Sequence, residues 1–229
     1  MVKMHGDYVV IEGDRFYVKK VGDLLVLELS YLNIRDIAKI ERFELLRDLD
    51  LLALSYNSIA EIKCLEKLEK LEELRLEGNK IVKIQGLEKL TNLQYLYLNH
   101  NQITEIKGLK TLSDLRYLNL SENKIKEIKG LENLENLHTL SLENNEITEI
   151  SGLSNLRNLG SLELSCNHIA ELKGLENLNN LYNIQLEGKN LPPDVLKQII
   201  EENVISMVTG EHPIDAKKAV IYCQKNKNS

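Results

Sequence analysis

The sequence predicts an α/β solenoid: a right-handed arc of stacked coils with a parallel β-sheet on its concave side, a mostly 3₁₀ or irregular convex side, and capped ends. The first observation is a row of asparagines that recurs every 22 residues, at Asn57, Asn79, Asn101, Asn123, Asn145 and Asn167. The second is that, with each Asn counted as position zero, Leu or Ile fills positions −8, −5, −3, +2, +5, +8 and +11 in every copy. The third is a core poor in large rings, because the 229 residues include no Trp and only two Phe.

Each copy begins with a short strand. Its segment Leu-x-x-Leu-x-Leu ends with a period of two, as where Leu118 and Leu120 flank the outward-facing Asn119, and this alternation is typical of a strand. The Asn at position zero follows where the chain turns away from the sheet. Its amide group both donates and accepts, so stacked asparagines can bond the turn backbone of neighbouring coils.

The return half of each copy has apolar residues at a spacing of three, as in Ile125, Ile128 and Leu131. This spacing favours extended or 3₁₀-like turns over an α-helix. Glycine at +7 indicates a tight bend, and Cys64, which takes that place in the first full copy, is interpreted as a small bend residue without chemistry. Stacking the coils buries each Leu or Ile, which contributes about 1.5–3 kcal/mol per side chain. The repeats are expected to span residues 24–191 in about eight coils.

Both ends of the stack need caps, because the terminal coils would otherwise expose leucines. Residues 1–23 are predicted to form an N-terminal hairpin cap with strands at Tyr8–Ile11 and Phe16–Val18. The next copy fits the repeat from Leu24 onward, but it is 25 residues long and has Leu32 where Asn belongs. The longer convex segment of this copy has room for a helical turn.

Residues 192–229 are predicted to form a helical C-terminal cap and a tail. Lys189 replaces the Asn of the last copy, and its ammonium group cannot accept a hydrogen bond. The run Pro192-Pro193-Asp194 is expected to open a first helix. Asp215 is the expected N-cap of a second helix, whose apolar side would comprise Ala216, Ala219, Val220 and Cys223.

The repeat Leu-x-x-Leu-x-Leu-x-x-Asn-x-Ile-x-x-Ile-x-Gly-Leu-x-x-Leu resembles the 22-residue class of leucine-rich repeats, which includes the regulatory subunit of type 1 protein phosphatase and the bacterial internalins. Internalins usually have Pro where this chain has Gly, so the intracellular group is the closer likeness. Residues 188–196 also look like the repeat terminus of prokaryotic and Roco-type proteins, whose repeats precede a small-GTPase domain. The chain lacks the Gly-x-x-x-x-Gly-Lys-Ser/Thr phosphate loop of such a domain. The resemblance implies protein binding through the concave face.

Composition argues against several functional classes. The net charge of −6 and the pI near 5.5 argue against nucleic-acid binding, which needs a basic face. No run of eighteen apolar residues occurs, so no membrane span is expected. Three widely spaced cysteines and an N-terminus without a signal-like apolar segment predict a cytoplasmic protein, in which Cys166 is the cysteine expected to reach solvent. Five unpaired histidines give no metal-ligand spacing, so neither a metal nor a cofactor is expected.

The candidate binding residues are those that the strands direct away from the core. Aromatic and basic side chains concentrate in the first half of the repeats, and Tyr and Arg are typical anchors of protein interfaces. The second half is polar to acidic. The candidates are Tyr31, Tyr56, Arg75, Tyr95, Tyr97, His100, Tyr117, Glu143, Glu163 and Glu187. Two alternatives stay open: tyrosine also suits an exposed strand, and the acidic residues also keep a chain soluble.

These observations predict a non-enzymatic module, monomeric on its own, that binds a folded protein such as a phosphatase or a small GTPase. One alternative is an enzyme or enzyme activator with a site on the concave face; another is a structural subunit of a larger assembly. An enzyme would show a polar pocket with converging titratable groups, whereas a binding module would show an open aromatic patch.

Overall fold

One ten-stranded sheet runs through the computed structural model, which describes residues 3–186 and 216–225. Strands β1 (Lys3–Ile11), β2 (Asp14–Val21) and β3 (Leu24–Glu28) pair antiparallel. From β3 onward, eight strands pair in parallel and in chain order, which confirms the predicted solenoid sheet. The remaining seven strands are β4 (Leu51–Ala53), β5 (Glu73–Arg75), β6 (Tyr95–Tyr97), β7 (Tyr117–Asn119), β8 (Thr139–Ser141), β9 (Ser161–Glu163) and β10 (Asn183–Gln185).

The apolar repeat positions form one continuous core. In the coil of Asn123, for example, Leu118, Leu120, Ile125 and Ile128 have no exposed surface. On the convex side the three-residue spacing produces successive i to i+3 bonds, such as those from Leu134 N to Leu131 O and from Leu137 N to Leu134 O, both 3.0 Å. Two short 3₁₀ helices, Ile37–Lys39 and Phe43–Leu45, occupy the longer back of the first copy, where the sequence predicted a helical turn.

The buried asparagines join consecutive coils through their amide groups. Asn123 Nδ2 donates to Leu98 O and Leu120 O at 3.0 Å and to Ser121 O at 3.1 Å, while its Oδ1 accepts from Ile103 N at 2.9 Å. The other five asparagines make the same set of bonds in their own coils: Asn57, Asn79, Asn101, Asn145 and Asn167. Each amide thereby satisfies backbone groups of its own coil and of the preceding one.

A second set of asparagines links the coils on the convex side, and the sequence analysis missed it. Asn136 Nδ2 donates to Ser113 O at 3.1 Å, and Asn158 Nδ2 donates to Glu135 O at 2.9 Å, each bond spanning 23 residues. Similar bonds are made by Asn92, Asn133, Asn155 and Asn180. Asn recurs at position +13 in Asn92, Asn136, Asn158 and Asn180, which is the signal that could have revealed this outer row.

Glycine is required at position +7 because the backbone has a positive φ there and because there is no room for a side chain. Gly86 has a φ of +71°, and a Cβ added there would lie 2.5 Å from Ile62 O of the preceding coil. Cys64 occupies the same place with a φ of +62°, so it is a bend residue in the left-handed region that glycine adopts without strain.

We expect Gly86→Ala to lower the free energy of unfolding by about 2 kcal/mol, because the methyl group meets a fixed carbonyl and the backbone is left-handed. Cys64→Gly should raise it by about 1 kcal/mol, since glycine removes the strain. Urea unfolding of both variants beside the parent tests the pair. If both substitutions changed the free energy of unfolding in the same direction, the role assigned to position +7 would be contradicted.

The N-terminal hairpin continues the sheet and is held by cation–π contacts. The guanidinium carbons of Arg15 and Arg42 lie 4.8 and 4.1 Å from the centre of the Tyr8 ring, and the Tyr17 ring lies 5.4 Å from it. Both hairpin strands are longer than predicted. Leu24 was expected to fit the buried repeat pattern; it is instead 46% exposed, because it lies in β3 on the same side as Val26. The boundaries at 23 and 191 stay predictions.

Helix α1 (Ala216–Lys225) caps the C-terminal side of the stack. Its buried residues Ala219, Val220 and Cys223 were predicted, and Tyr222 joins them. Cys223 Sγ donates to Leu172 O at 3.3 Å, and Gln224 Nε2 donates to Glu176 O at 2.9 Å. The expectation that Cys166 is the cysteine that reaches solvent was too narrow, because the Cys64 bend is exposed as well. The described residues do not include Glu187, Lys189, the helix expected from Pro192, the N-cap Asp215 or the tail.

Candidate functional site

The concave face, defined here as the solvent-facing side of β3 to β10, carries the side chains at positions −6, −4 and −2. The parallel register sets Tyr95 beside Tyr117 and Arg75 beside Tyr97. These four residues form a continuous group across three strands, which we call the central aromatic patch. Tyr95 is its most exposed ring, at 38%.

Within the central aromatic patch, the rings pack diagonally rather than along one row. The rings of Tyr97 and Tyr117 lie 4.9 Å apart with an interplanar angle of 38°. The guanidinium carbon of Arg75 lies 5.6 Å from the centre of the Tyr97 ring. Tyr95 and Tyr117 are partners in the strand register, but the ring contact joins Tyr97 and Tyr117. Mutual packing fixes these side chains before any partner arrives, which lowers the entropy cost of binding.

A carboxylate that the sequence analysis did not select orients Arg75. Arg75 Nε donates to Glu73 Oε1 at 2.6 Å. Burial lowers the pKa of the Arg75 guanidinium. The hydrogen bond and the charge of Glu73 raise this pKa by more than burial lowers it, so the net shift is upward. Burial, followed by the charge of Glu73, raises the pKa of Tyr97, and burial raises that of Tyr117. Tyr97 and Tyr117 therefore present neutral phenols beside the charged guanidinium of Arg75 at neutral pH.

A separate pair of tyrosines lies at position −1 of the first two coils. The rings of Tyr31 and Tyr56 are stacked, 4.8 Å apart and 7° from parallel, and are 72% and 45% exposed. Both residues have a left-handed backbone, with φ of +62° and +52°. We call this pair the tyrosine stack.

The remaining candidates are dispersed along the concave face. His100 Nδ1 lies 2.7 Å from Glu122 Oε2, an exposed pair at position −1 of adjacent coils. Glu143 and Glu163 are half-buried in later coils, and the charge of Glu163 reaches Tyr117, whose pKa it helps burial to raise. The structure thus brings Arg75, Tyr95, Tyr97 and Tyr117 together, with Glu163 acting on the Tyr117 side of this group.

The described residues present no constellation typical of catalysis. Within residues 3–186 and 216–225, no group of three or more His, Cys, Asp or Glu side chains could hold a metal ion. Burial raises the pKa of the Cys223 thiol to about 11, so it is not an activated nucleophile. A shallow depression on another face is lined by ion-paired side chains, including Lys107 with Glu105 and Lys126 with Glu146. None of the described helices is long and apolar enough to cross a membrane.

Known structures and families share this architecture. A family profile described as leucine-rich repeats in two copies matches residues 91–133, 113–155 and 135–180. Internalin C2 from Listeria monocytogenes is 33% identical over 70% of this chain and 80% of its own, with a TM-score of 0.57. A leucine-rich-repeat protein of Leptospira interrogans is 25% identical over 69% and 48%, with a TM-score of 0.60. TLR13, solved in complex with ssRNA13, is 30% identical over 64% and 23%, with a TM-score of 0.57. No curated protein matches the chain significantly.

Proposed function

Because this chain belongs to the leucine-rich-repeat proteins, we propose that it is a non-catalytic module that binds a protein partner through its concave face. The observation that carries the proposal is the central aromatic patch. Exposed aromatic area next to an oriented arginine, on a rigid sheet, is the arrangement that dominates binding energy in protein interfaces. The open shape of the patch favours a protein surface over a small substrate, which would need a concave pocket.

The partner that we propose is a folded regulatory enzyme, a phosphatase or a small GTPase. This choice rests on the likeness of the repeat to phosphatase regulatory subunits and Roco-type proteins. We place the interaction in the cytoplasm, since Cys64 and Cys223 are free thiols and free thiols suit a reducing compartment. The module would act as a monomer that offers one concave surface to its partner.

Site-specific crosslinking tests the choice of face. A photoreactive phenylalanine analogue replaces Tyr95 on the concave face in one variant and Lys67 on the convex face in a matched variant; both positions are exposed. After irradiation in a lysate of the source organism, mass spectrometry should find one protein crosslinked from position 95 and not from position 67. Crosslinking of the same protein from position 67 alone would refute the concave proposal.

A further inference from the structure

The tyrosine stack stands at a position where the backbone disfavours tyrosine. The residue at position −1 has a positive φ in seven successive coils, from Tyr31 to Cys166. Glycine and asparagine tolerate this conformation best, and the chain itself has Gly78 and Asn144 there. A bulky side chain in the left-handed region is a strain that frequently marks a functional position. Two such tyrosines occur in adjacent coils, and their rings remain largely in solvent.

The backbone of the third coil supports the tyrosine stack on the side of Tyr56 that faces away from Tyr31. A Cβ added at Gly78 would lie 2.5 Å from Cδ1 of Tyr56, so the ring rests directly on the Gly78 backbone. Tyr31, Tyr56 and Gly78 therefore form successive layers, with ring on ring on backbone. This support holds the aromatic faces in one orientation, and the 72% exposure of Tyr31 leaves its ring accessible.

Two carboxylates, Glu28 and Glu77, lie close in sequence to the tyrosine stack and its Gly78 support. Glu28 Oε1 accepts hydrogen bonds from the backbone and hydroxyl of Ser30, next to Tyr31. Glu77 precedes Gly78, and its backbone carbonyl accepts from Tyr56 N at 2.8 Å. Arg75 donates its hydrogen bond to Glu73, and the charge of Glu77 contributes to raising the pKa of the Arg75 guanidinium without a direct contact. Among the described residues, neither Glu28 nor Glu77 has a cationic group within 4 Å.

Two buried polar atoms next to the stack lack hydrogen-bond partners. They are the Ser55 hydroxyl and Glu77 Oε2, which occupy position −2 in adjacent coils. Ser55 is only 4% exposed, and Glu77 as a whole is half-buried. These are the buried side-chain atoms of the described residues that lack a hydrogen-bond partner, and they belong to the residues directly before Tyr56 and Gly78 in the chain. Buried polar atoms are normally hydrogen-bonded, so both call for a partner.

We propose that the tyrosine stack, together with Glu77 and Ser55, binds an arginine side chain of the protein partner. A planar guanidinium stacks on aromatic rings and donates two parallel hydrogen bonds to a carboxylate, which an ammonium group cannot do. Glu77 supplies the counter-charge, Ser55 an acceptor, and Glu28 further attraction one coil before Ser55. This inference rests on the proposed function for the nature of the partner, but it concerns a second subsite beside the central aromatic patch, where the charge of Glu77 also acts on Arg75 and Tyr97.

A peptide titration tests the subsite without the native partner. The probe is a blocked hexapeptide of alternating Gly and Arg, and the control peptide has neutral citrulline at each Arg. NMR of the tyrosine ring resonances should show saturable shifts at Tyr31 and Tyr56 with the arginine peptide only. Tyr31→Asn with Tyr56→Asn should weaken its affinity at least tenfold, and Glu77→Gln at least fivefold. Equal affinities for the parent and these variants, or equal binding of both peptides, would overturn the proposal.

Matched variants separate loss of binding from loss of folding. Asparagine tolerates a left-handed backbone, so Tyr31→Asn with Tyr56→Asn should melt at or above the temperature of the parent. A lower melting temperature would show that the stack is structural and would contradict the strain argument. Glu122→Asn, at the same repeat position three coils beyond Tyr56, should leave peptide affinity within twofold. If a partner crosslinks from position 95 while the peptide fails to bind, the proposed function stands and the arginine subsite alone fails.

Discussion

Replacing Asn123 with Ala is expected to lower the free energy of unfolding by about 3 kcal/mol, because Asn123 takes part in four hydrogen bonds inside the stack. The substitution leaves the buried Ile103 N without its acceptor. It also removes one of the donors to Leu98 O and Leu120 O, each of which keeps a bond from a neighbouring asparagine of the row. A buried N–H without a partner costs more than the net value of a single bond. Denaturant unfolding, with the slope checked for a cooperative transition, measures the difference.

Asn136→Ala is the matched control for this prediction. It removes the same side chain from the same coil, but Asn136 is exposed and makes one bond, to Ser113 O. Water can replace that donor, so the loss should stay below about 1 kcal/mol. Similar losses for the two variants would show that the buried row contributes no more than the outer one.

The second large effect is expected in binding. Tyr95→Ala with Tyr117→Ala should weaken the native partner by about 2–4 kcal/mol, the range of hot-spot truncations, which is roughly a 30- to 900-fold rise in Kd. Replacing Tyr117 also removes its contact with the Tyr97 ring, so Tyr97 is no longer held in place. Calorimetric titration with the partner identified by crosslinking gives the value. Thermal stability should change little, because these side chains lie outside the leucine core.

The convex pair Glu66→Ala with Lys67→Ala serves as the control for binding. Both residues are exposed on the opposite side of the coils, so their loss should leave Kd within about twofold of the parent. A tyrosine variant that binds the partner as tightly as the parent would exclude the central aromatic patch and would direct attention to the convex side and the ends.

The fold could be predicted almost completely from the repeat. Because Leu and Ile hold seven positions in each 22-residue copy, only stacked coils with the strands on one side bury all of them. The same periodicity identified which residues face outward from each strand. It therefore placed Arg75, Tyr95, Tyr97 and Tyr117 on one surface, where the register sets them side by side.

Positions that depart from the repeat were harder to interpret. Leu24 matches the apolar pattern, yet the hairpin lengthens its strand and turns the side chain outward. The convex asparagines fill only some copies, so no complete row marks them in the sequence. Glu73, Glu77 and Ser55 carry no signal in the sequence, since their importance depends on the side chains of neighbouring coils.

The sequence by itself therefore determined the 22-residue stacking repeat, the buried positions of the six copies that carry the Asn, and the face on which each strand residue lies. All three follow from the regular recurrence of residues along the chain, which is visible in a single sequence. The tertiary structure alone decided that Tyr97 rather than Tyr95 contacts Tyr117, that Glu73 orients Arg75, and that the tyrosine stack stands on a strained backbone over Gly78. The rotamer and the burial of an exposed side chain depend on its neighbours in the adjacent coils. Because those exposed residues differ from coil to coil, no periodic pattern predicts either.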